Sequence, residues 1–293
     1  MPELPEVQTI VDDLNKKVAG RKIVGAWFDW PKMIKPPSSP KTFERILRGG
    51  RILKVERRAK YIKIYLSGDR LLLIHQKLTG HLLVGKWKIE PVKKVQSLLK
   101  GPLEERVNDY IHLILYLDDG RMLAFSDLRK FGTARAGKTQ DIENLPELKN
   151  LGPDALDSKL NFNRFADLIS SEERKIKQVL MDQEVIAGIG NIYSDEILWE
   201  AKIHPFKPAN KLTQKELKAL WLATRKILEK ALKLRGTSIS DYRDTSGEKG
   251  YYTEARKVYQ REGEKCPRKC GGTIKRVKIG GRSAHYCPKC QRL

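Results

Sequence analysis

Residues 51–75 read RILKVERRAKYIKIYLSGDRLLLIH, and this stretch indicates the fold class of the first half of the chain. It holds three β-rich runs, at residues 51–57, 61–66 and 71–75, and the middle run places an apolar residue at every second position. A short turn at residues 67–69 separates the last two runs. Because parallel strands need long crossover connections, strands this close together predict an antiparallel sandwich or barrel.

Similar runs lie on both sides of this stretch, at residues 22–30, 110–117 and 121–125. The segment ahead of them is predicted to be a helix that ends at Gly20, because its apolar residues recur at helical spacing. These residues are Val7, Ile10, Val11, Leu14 and Val18. We therefore predict an N-terminal antiparallel β-sandwich domain with a leading helix over residues 1–137.

The rest of the chain has a different character. A polar stretch containing proline predicts a linker at residues 138–150. Helical periodicity then predicts a helical domain over residues 151–262, followed by a zinc finger at residues 263–293. The predicted fold class is α+β and multidomain.

Capping signals place the helices of the second half. Two sequences of the type S/T-x-x-E, at residues 170–173 and 213–216, predict helix starts. The first would open a helix over residues 173–182, and a glycine break would precede another helix over residues 192–201. Two helices joined by a glycine turn and followed by a zinc hairpin indicate a DNA-binding half.

The cysteines all lie in the last 28 residues, as Cys266, Cys270, Cys287 and Cys290. Two close pairs separated by sixteen residues can direct four thiolates at one centre, the tetrahedral arrangement that zinc prefers. The spacing disfavours the alternative of two unrelated pairs of free thiols. Because protein ligands would fill every position, we predict one structural zinc ion. From Lys265 onward there are nine basic residues and no acidic ones, which indicates a phosphate-binding hairpin.

Composition indicates the partner class. The chain has 293 residues, with 58 Lys and Arg against 36 Asp and Glu, and a formal net charge of +22. This excess predicts a polyanionic partner. The sequence contains no uncharged apolar run long enough to predict a transmembrane helix. The start MPELPE lacks the pattern of a signal peptide. We expect a cytoplasmic, monomeric protein without a membrane partner.

The sequence GIGN at residues 188–191 stands at the start of a predicted helix. Glycines allow a ligand to approach the backbone closely, and the free N–H groups of a helix start attract phosphate. Asn191 could cap that helix and donate its amide to the same phosphate. An ordinary turn between helices is the alternative, which the basic composition and the zinc hairpin disfavour.

Six segments, taken together, resemble the formamidopyrimidine-DNA glycosylases. They are PELPEV at residues 2–7, RRAKY at 57–61, DLRKFG at 127–132, LGP at 151–153, GIGNIY at 188–193 and RSAHYC at 282–287. They follow the order of the family and span nearly the whole chain. The related endonuclease VIII branch usually has glycine where Leu4 stands, so the resemblance favours the formamidopyrimidine branch.

This resemblance implies a bifunctional repair enzyme that removes oxidised purines from double-stranded DNA and then cuts the strand. The nucleophile would be the terminal amine of Pro2, exposed once Met1 is removed, and Glu3 would donate and accept the proton at the sugar. By the same resemblance, Lys60 and Arg282 would contact phosphates and assist the eliminations.

The resemblance also implies DNA contacts around the everted nucleotide. Leu78, Arg129 and Phe131 match the residues that fill the gap left in the duplex, with Arg129 facing the orphaned cytosine. Asn191 would contact phosphates. Apart from the resemblance, Lys177 on the first predicted helix of the helical half is a candidate for a further phosphate contact, although a solvated surface lysine is the favoured alternative.

The chain departs from the family pattern in places. Leu78 replaces the usual methionine, Asn108 replaces a histidine, and the first cysteine pair is one residue longer than usual. The stretch 97–109 is longer than usual, and residues 237–252 match the loop that covers the damaged base.

Two other functions compete with this interpretation. A non-catalytic zinc protein that binds nucleic acid would also carry the charge and the cysteines, but it would need none of Pro2, Glu3 and Lys60. An enzyme of the endonuclease VIII type would remove oxidised pyrimidines instead.

Overall fold

The structure is a computed structural model that describes residues 2–90, 95–239 and 241–293. Met1, on which the predicted maturation depends, lies outside the described residues. The chain divides into two compact units. Unit 1 extends to Lys149 and also includes Leu234–Thr253, whereas unit 2 comprises Asn150–Lys233 and Glu254–Leu293. Residues 234–253, predicted within the helical segment 151–262, thus belong to unit 1.

Unit 1 contains two four-stranded antiparallel sheets, one two-stranded antiparallel sheet and several helices. Its strands are β1 (Ile23–Phe28), β2 (Ile52–Arg58), β3 (Tyr61–Leu66), β4 (Arg70–His75), β5 (His81–Gly85), β6 (Trp87–Ile89), β7 (Val95–Ser97), β8 (Ile111–Leu117), β9 (Met122–Ser126) and β10 (Thr133–Lys138). Its helices are α1 (Leu4–Val18), α2 (Pro40–Leu47), α3 (Thr139–Glu143) and α4 (Pro146–Lys149). The last two lie in the predicted linker.

The two four-stranded sheets have the strand orders β1-β8-β9-β5 and β10-β4-β3-β2, their pairings are antiparallel, and β6 pairs with β7 in a separate small sheet. Ile62 and Ile64 of one sheet share a buried core with Leu113 and Leu115 of the other. The apolar face of α1, including Ile10, completes this core. The predicted β-sandwich with a leading helix is therefore confirmed.

Unit 2 is helical and ends in a β-hairpin. Its elements are α5 (Phe162–Ser170), α6 (Ile176–Met181), α7 (Asn191–Ala201), α8 (Gln214–Lys233), β11 (Lys275–Ile279) and β12 (Arg282–Tyr286), and α9 (Tyr252–Ala255) spans the boundary of the two units. These elements confirm the predicted combination of helices and a zinc hairpin.

One predicted capping box is correct and the other is wrong. The Thr213 N–H donates to Glu216 at 2.8 Å, and α8 starts at the next residue. Ser170 instead ends α5, and its hydroxyl donates to the carbonyl of Ala166 at 2.8 Å. Since α5 occupies Ser170, the next helix begins only at Ile176. None of the helices in the described ranges has the length and apolar character that crossing a membrane requires.

Candidate functional site

The start of α1 holds the first two predicted catalytic residues. Pro2 and Glu3 are buried, and Glu3 is the residue directly before the first helical turn. The Glu3 N–H donates to Oε2 of Glu6 at 2.8 Å, which fixes the backbone at this point. The positive end of the helix favours a carboxylate here. The fold thus holds a buried carboxyl one residue from the Pro2 nitrogen.

Glu6 connects this helix start to the segment 234–253. Its second oxygen accepts the N–H of Thr237 at 2.7 Å. Gly236 has a φ of +81°, and a Cβ at this residue would lie 2.7 Å from the same oxygen. The Tyr242 hydroxyl donates to the Glu6 carbonyl at 3.4 Å, and burial raises the pKa of Tyr242 well above its usual range. One glutamate therefore joins two parts of unit 1 that are distant in sequence.

Lys60 lies in the two-residue turn between β2 and β3 and is only 6% exposed. Ala59, the other turn residue, adopts a left-handed conformation with a φ of 53°. Arg57 donates to the Gln8 side chain at 2.8 Å and to the Ala59 carbonyl at 3.1 Å. Because Gln8 belongs to α1, these bonds fix the turn that carries Lys60 to the helix that begins beside Glu3.

His75, at the end of β4, is a site residue that the sequence did not indicate. Its ring packs edge-on against Tyr61, with 4.5 Å between the ring centroids, and Nδ1 accepts the N–H of Lys77 at 2.9 Å. Burial, together with the positive charges of Lys77 and Lys60, lowers the pKa of His75 to about 3. The imidazole is therefore neutral at pH 7 and adds no positive charge beside Lys60.

Two loops bring the predicted gap-filling residues together. Leu78 belongs to the loop after β4, and Arg129 and Phe131 belong to the loop after β9. The Thr79 hydroxyl donates to the carboxylate of Asp127, which is fully buried. The Arg129 N–H donates to the Thr79 hydroxyl at 3.1 Å. The Thr79–Asp127 contact therefore fixes one loop against the other.

The second loop exposes an aromatic ring. Phe131 is 50% exposed, and the Arg129 guanidinium lies 4.8 Å from its ring centroid. The Gly132 N–H donates to Asp127 at 2.6 Å, and a Cβ at Gly132 would lie 2.4 Å from the Phe125 ring. Since only glycine fits this turn, the backbone holds Phe131 at the surface. An exposed ring on a fixed turn is suited to entering a base step.

The glycine turn in unit 2 is closed by Gln183. Its Oε1 accepts the N–H of Gly188 at 2.9 Å, and its Nε2 donates to the carbonyl of Ile189 at 2.8 Å. Gly190 is the residue that caps α7, so Asn191 already belongs to the first helical turn. The predicted capping role of Asn191 is therefore wrong.

The Asn191 amide instead points to the zinc hairpin. Its Nδ2 donates to the hydroxyl of Ser283 at 3.3 Å and to that of Tyr259 at 3.4 Å. Its Oδ1 is buried without a hydrogen-bond partner among the residues the structure describes. Ser283 directly follows Arg282, which is exposed at the start of β12. Unit 2 thus brings Asn191 close to the strand that begins with Arg282.

Lys177 is not placed as a phosphate ligand. It is fully buried in α6, and its ammonium lies 2.6 Å from Oδ1 of Asp195 and 2.9 Å from the Ser194 hydroxyl. The other carboxylate oxygen of Asp195 accepts the backbone N–H of His285 at 2.9 Å. The predicted phosphate contact is corrected, because a fully buried ammonium presents no donor at the surface. Lys177 instead helps to fix β12 against α6 and α7.

The four cysteines of the hairpin converge. Their sulfur atoms all lie within 4.8 Å of one another, with Cys266 and Cys290 at 3.8 Å and Cys270 and Cys287 at 3.6 Å. Tetrahedral zinc with Zn–S bonds of about 2.3 Å requires sulfurs about 3.8 Å apart. A Cβ at Gly272 would lie 2.7 Å from the Cys287 sulfur, so glycine is needed beside the cluster. The residues fit one structural zinc ion, as the spacing predicts.

Comparison with known proteins agrees with these features. A model of the formamidopyrimidine-DNA glycosylase N-terminal domain matches residues 1–134, and a model of the H2TH domain of the same enzymes matches residues 151–243. A model of the zinc finger found in FPG and IleRS matches residues 263–293. The formamidopyrimidine-DNA glycosylase of Roseiflexus sp. (strain RS-1) is 39% identical over 293 residues, which cover 100% of both chains. The chain belongs to the formamidopyrimidine-DNA glycosylase family.

Other members of the family show the same extent of similarity. The formamidopyrimidine-DNA glycosylase of Chloroflexus aggregans (strain MD-66 / DSM 9485) is 40% identical over 294 residues, covering 100% of this chain and 99% of its own. The Lactococcus lactis Fpg, solved in complex with DNA containing an abasic site, has a TM-score of 0.85 and 32% identity. That match covers 99% of this chain and 100% of the Lactococcus chain. The family resemblance and the DNA glycosylase class predicted from the sequence are therefore confirmed.

The site residues predicted from the sequence are divided between the two units. Unit 1 holds Pro2, Glu3, Lys60, Leu78, Arg129 and Phe131. Unit 2 holds Lys177, Asn191, Arg282 and the four cysteines. Sequence reasoning missed Thr79, Gln183 and His75, because none of them has a distinctive sequence signal. Thr79 accepts the Arg129 N–H, Gln183 closes the glycine turn before Asn191, and His75 packs against Tyr61.

Proposed function

We propose that this protein is a bifunctional base-excision-repair enzyme that removes oxidised purines, such as 8-oxoguanine and formamidopyrimidines, and then nicks the DNA strand. The observation that carries the proposal is the buried helix start, where Glu3 follows Pro2 directly and its backbone is held by Glu6. Double-stranded DNA containing an oxidised base is the proposed partner. The enzyme would act as a monomer in the cytoplasm.

Pro2 is the proposed nucleophile. Its amine attacks C1′ of the damaged nucleotide, the N-glycosidic bond breaks, and the base leaves with a proton. An α-amino group has a reference pKa of about 7.7–8.0, so part of it is unprotonated near neutrality. The C1′–O4′ bond then breaks, O4′ takes up a proton, and the sugar ring opens. Because Pro2 is a secondary amine, the product is an iminium that remains cationic and acts as an electron sink.

Elimination follows from that cation. It acidifies the C2′ hydrogen, whose removal expels the 3′ phosphate, and a second elimination expels the 5′ phosphate. Glu3 is the proposed proton donor and acceptor at the sugar, because it is a carboxyl one residue from the nucleophile. The cationic Lys60 and Arg282 would bind the phosphates, and the planar guanidinium of Arg282 suits two-point contact. Hydrolysis by water, which adds to the Schiff-base carbon, would release the remaining sugar fragment as an aldehyde and free the Pro2 amine again.

The chemistry requires the nucleotide to leave the base stack. Phe131 would enter the gap as a wedge, Leu78 would fill the vacated space, and Arg129 would bond to the orphaned base. The exposure of Phe131 and the Thr79–Asp127 contact support this assignment. Asn191 would contact phosphate beside the zinc hairpin, which zinc would hold in shape.

The preference for purines is supported by the similar structures. The Lactococcus lactis enzyme was solved with DNA containing Fapy-dG and with DNA containing N7-benzyl-Fapy-dG, at TM-scores of 0.84 and 0.85 to this chain. Both are ring-opened purines. No observation favours the alternative with oxidised pyrimidines.

A borohydride-trapping assay with a panel of damaged duplexes tests the proposal. The panel contains 8-oxoguanine, a formamidopyrimidine, an oxidised pyrimidine and an abasic site in one sequence, with an undamaged duplex as the control. We expect covalent adducts on the two purine lesions and the abasic site, and fewer on the pyrimidine. Trapping on the pyrimidine alone would favour the endonuclease VIII type, and binding without any trapping would favour the non-catalytic alternative.

A further inference from the structure

Residues 98–109, within the connection between β7 and β8, form a structured insert in unit 1. It contains two short 3-10 helices, Pro102–Glu104 and Arg106–Asn108. Leu103 is 7% exposed and packs in a small core with Trp87. The insert segment, as we call residues 98–109, therefore has a fixed position and can carry other contacts.

The insert segment contacts the described part of the stretch 237–252, that is residues 237–239 and 241–252, here called the loop segment. Arg243 of the loop segment is almost fully buried and donates to one carboxylate oxygen of Glu105, from Nε at 3.0 Å and from Nη2 at 2.9 Å. Glu105 is 43% exposed, so the pair is only partly shielded from water. Arg243 also bonds to the main chain of its own segment, because its Nη1 donates to the Tyr242 carbonyl at 2.9 Å.

The loop segment and the insert segment meet at a second place, beside Gly247. Gly247 has a φ of +85°, and a Cβ at this residue would lie 3.0 Å from Nδ2 of Asn108 and from the backbone of Pro102. Asn108 in turn holds the insert segment together, because its Nδ2 donates to the Pro102 carbonyl at 2.7 Å. Its Oδ1 lies 2.8 Å from Nε2 of the buried His81. The loop segment thus approaches the insert segment too closely for a side chain at residue 247.

The opposite side of the loop segment is anchored to α1 and β5. The Thr245 hydroxyl donates to Asp13 at 3.0 Å and accepts from the Lys17 ammonium at 2.8 Å. The Val84 N–H donates to the Thr245 carbonyl at 2.8 Å. The tip of the loop segment is therefore held on three sides: by the insert segment, by α1 and by β5. Of these three, the insert segment is the one whose length departs from the family pattern.

We propose that Glu105 is a positioning residue, which holds the middle of the loop segment through Arg243 in a conformation able to cover the damaged base. This inference rests on the proposed function, in which residues 237–252 close over an everted base. A base must be recognised before excision, whereas an abasic site has no base to cover. Losing the Glu105–Arg243 contact should therefore impair excision of an oxidised base more than cleavage at an abasic site.

The substitution Glu105→Gln tests this proposal, because glutamine keeps the size of the side chain and removes its charge. Because the lost interaction is a charge-assisted hydrogen bond, we expect excision of 8-oxoguanine at subsaturating DNA to fall about tenfold, which corresponds to about 1.4 kcal/mol. Cleavage of a duplex with a preformed abasic site should stay within about twofold. Glu147→Gln is the control, since Glu147 pairs with Arg135 at 2.8 Å in the same unit and its side chain is also partly exposed, at 28% against 43% for Glu105.

A double-mutant cycle assigns the effect to the pair. Arg243→Met should lower excision, and adding Glu105→Gln to it should change excision by less than about twofold, because the contact is already lost. Equal losses of excision and abasic-site cleavage, or no loss in Glu105→Gln, would overturn the proposal.

Hydrogen exchange measures the same contact without reference to activity. Exchange of the amides of residues 241–250 should be about tenfold faster in Glu105→Gln than in the wild type, and unchanged in Glu147→Gln. If the wild type excised no oxidised base, the proposed function would fail. Unchanged exchange in Glu105→Gln would overturn the role of the Glu105–Arg243 contact even if the wild type excised oxidised bases.

Discussion

The ammonium of Lys177 lies 2.6 Å from the carboxylate of Asp195, and both side chains are fully buried. The pair joins α6 to α7, and Asp195 also accepts the N–H of His285 in β12. Because a buried charge needs its partner, the two helices and the zinc hairpin depend on one ion pair. Lys177 therefore stabilises the surface formed near Asn191 rather than contacting DNA itself.

Lys177→Met should lower the free energy of unfolding by about 3–5 kcal/mol, because it leaves the Asp195 charge buried without its cation. Urea denaturation measures the change. Lys226→Met is the control, since Lys226 forms an exposed pair with Glu200 and its loss should cost at most about 1 kcal/mol. Equal effects of the two substitutions would show that the buried pair has no special role.

Removal of zinc should abolish duplex binding, because Cys266, Cys270, Cys287 and Cys290 hold the hairpin that carries Arg282. The β-sandwich of unit 1 contains none of these ligands and should keep its strand signal in circular dichroism. Fluorescence anisotropy with labelled duplex measures the affinity before chelation, after chelation, and again after zinc is restored. Undiminished affinity of the zinc-free protein would exclude this role of the hairpin.

Arg129 and Asn191 should affect DNA binding in different ways. Arg129→Ala should erode the dependence on the base opposite the lesion, because this side chain would contact the orphaned base. Asn191→Ala should weaken binding to all duplexes alike, as loss of a phosphate contact does. Excision measured against each of the four opposite bases separates the two cases. An unchanged opposite-base preference in Arg129→Ala would refute the role assigned to it.

The acid stability of unit 1 should depend on His75. Its pKa is about 3 in the folded protein because of burial, against an ordinary value near 6.5 when unfolded. Between these pH values the unfolded state binds more protons, so stability falls as the pH is lowered from 6.5 towards 3. In His75→Gln this loss should be smaller, as urea denaturation at a series of pH values would measure. An unchanged pH dependence would show that His75 is not shielded as the fold indicates.

The sequence predicted the fold where its patterns were regular. The alternating run at residues 61–66 is β3, and the predicted helix at 192–201 differs from α7 by one residue. The strands β5 and β10 were not predicted. In β5 all five residues are buried, which removes the alternation, and β10 is composed mainly of small and charged residues.

The candidate site was predictable only in its parts. The positions of Pro2, Glu3 and Arg129 could be proposed from the family resemblance, but the contacts that orient them join residues far apart in sequence. Thr237 with Glu6 and Thr79 with Asp127 are such contacts. Lys177 was predicted at the surface, near phosphate, but it is buried beside Asp195. Sequence periodicity cannot distinguish a buried lysine paired with a carboxylate from a lysine at the surface.

The identity of the residue that borohydride links to DNA tests the central claim most directly. If Met1 were retained, the Pro2 nitrogen would belong to a peptide bond. An amide nitrogen has no available lone pair, so Pro2 could not attack C1′. The active protein should therefore begin at Pro2, and peptide mass mapping of the trapped complex should locate the cross-link on that nitrogen. A one-residue N-terminal extension is expected to abolish trapping while leaving binding to the damaged site largely intact. A cross-link on Lys60, or normal cleavage by protein that retains Met1, would contradict the mechanism.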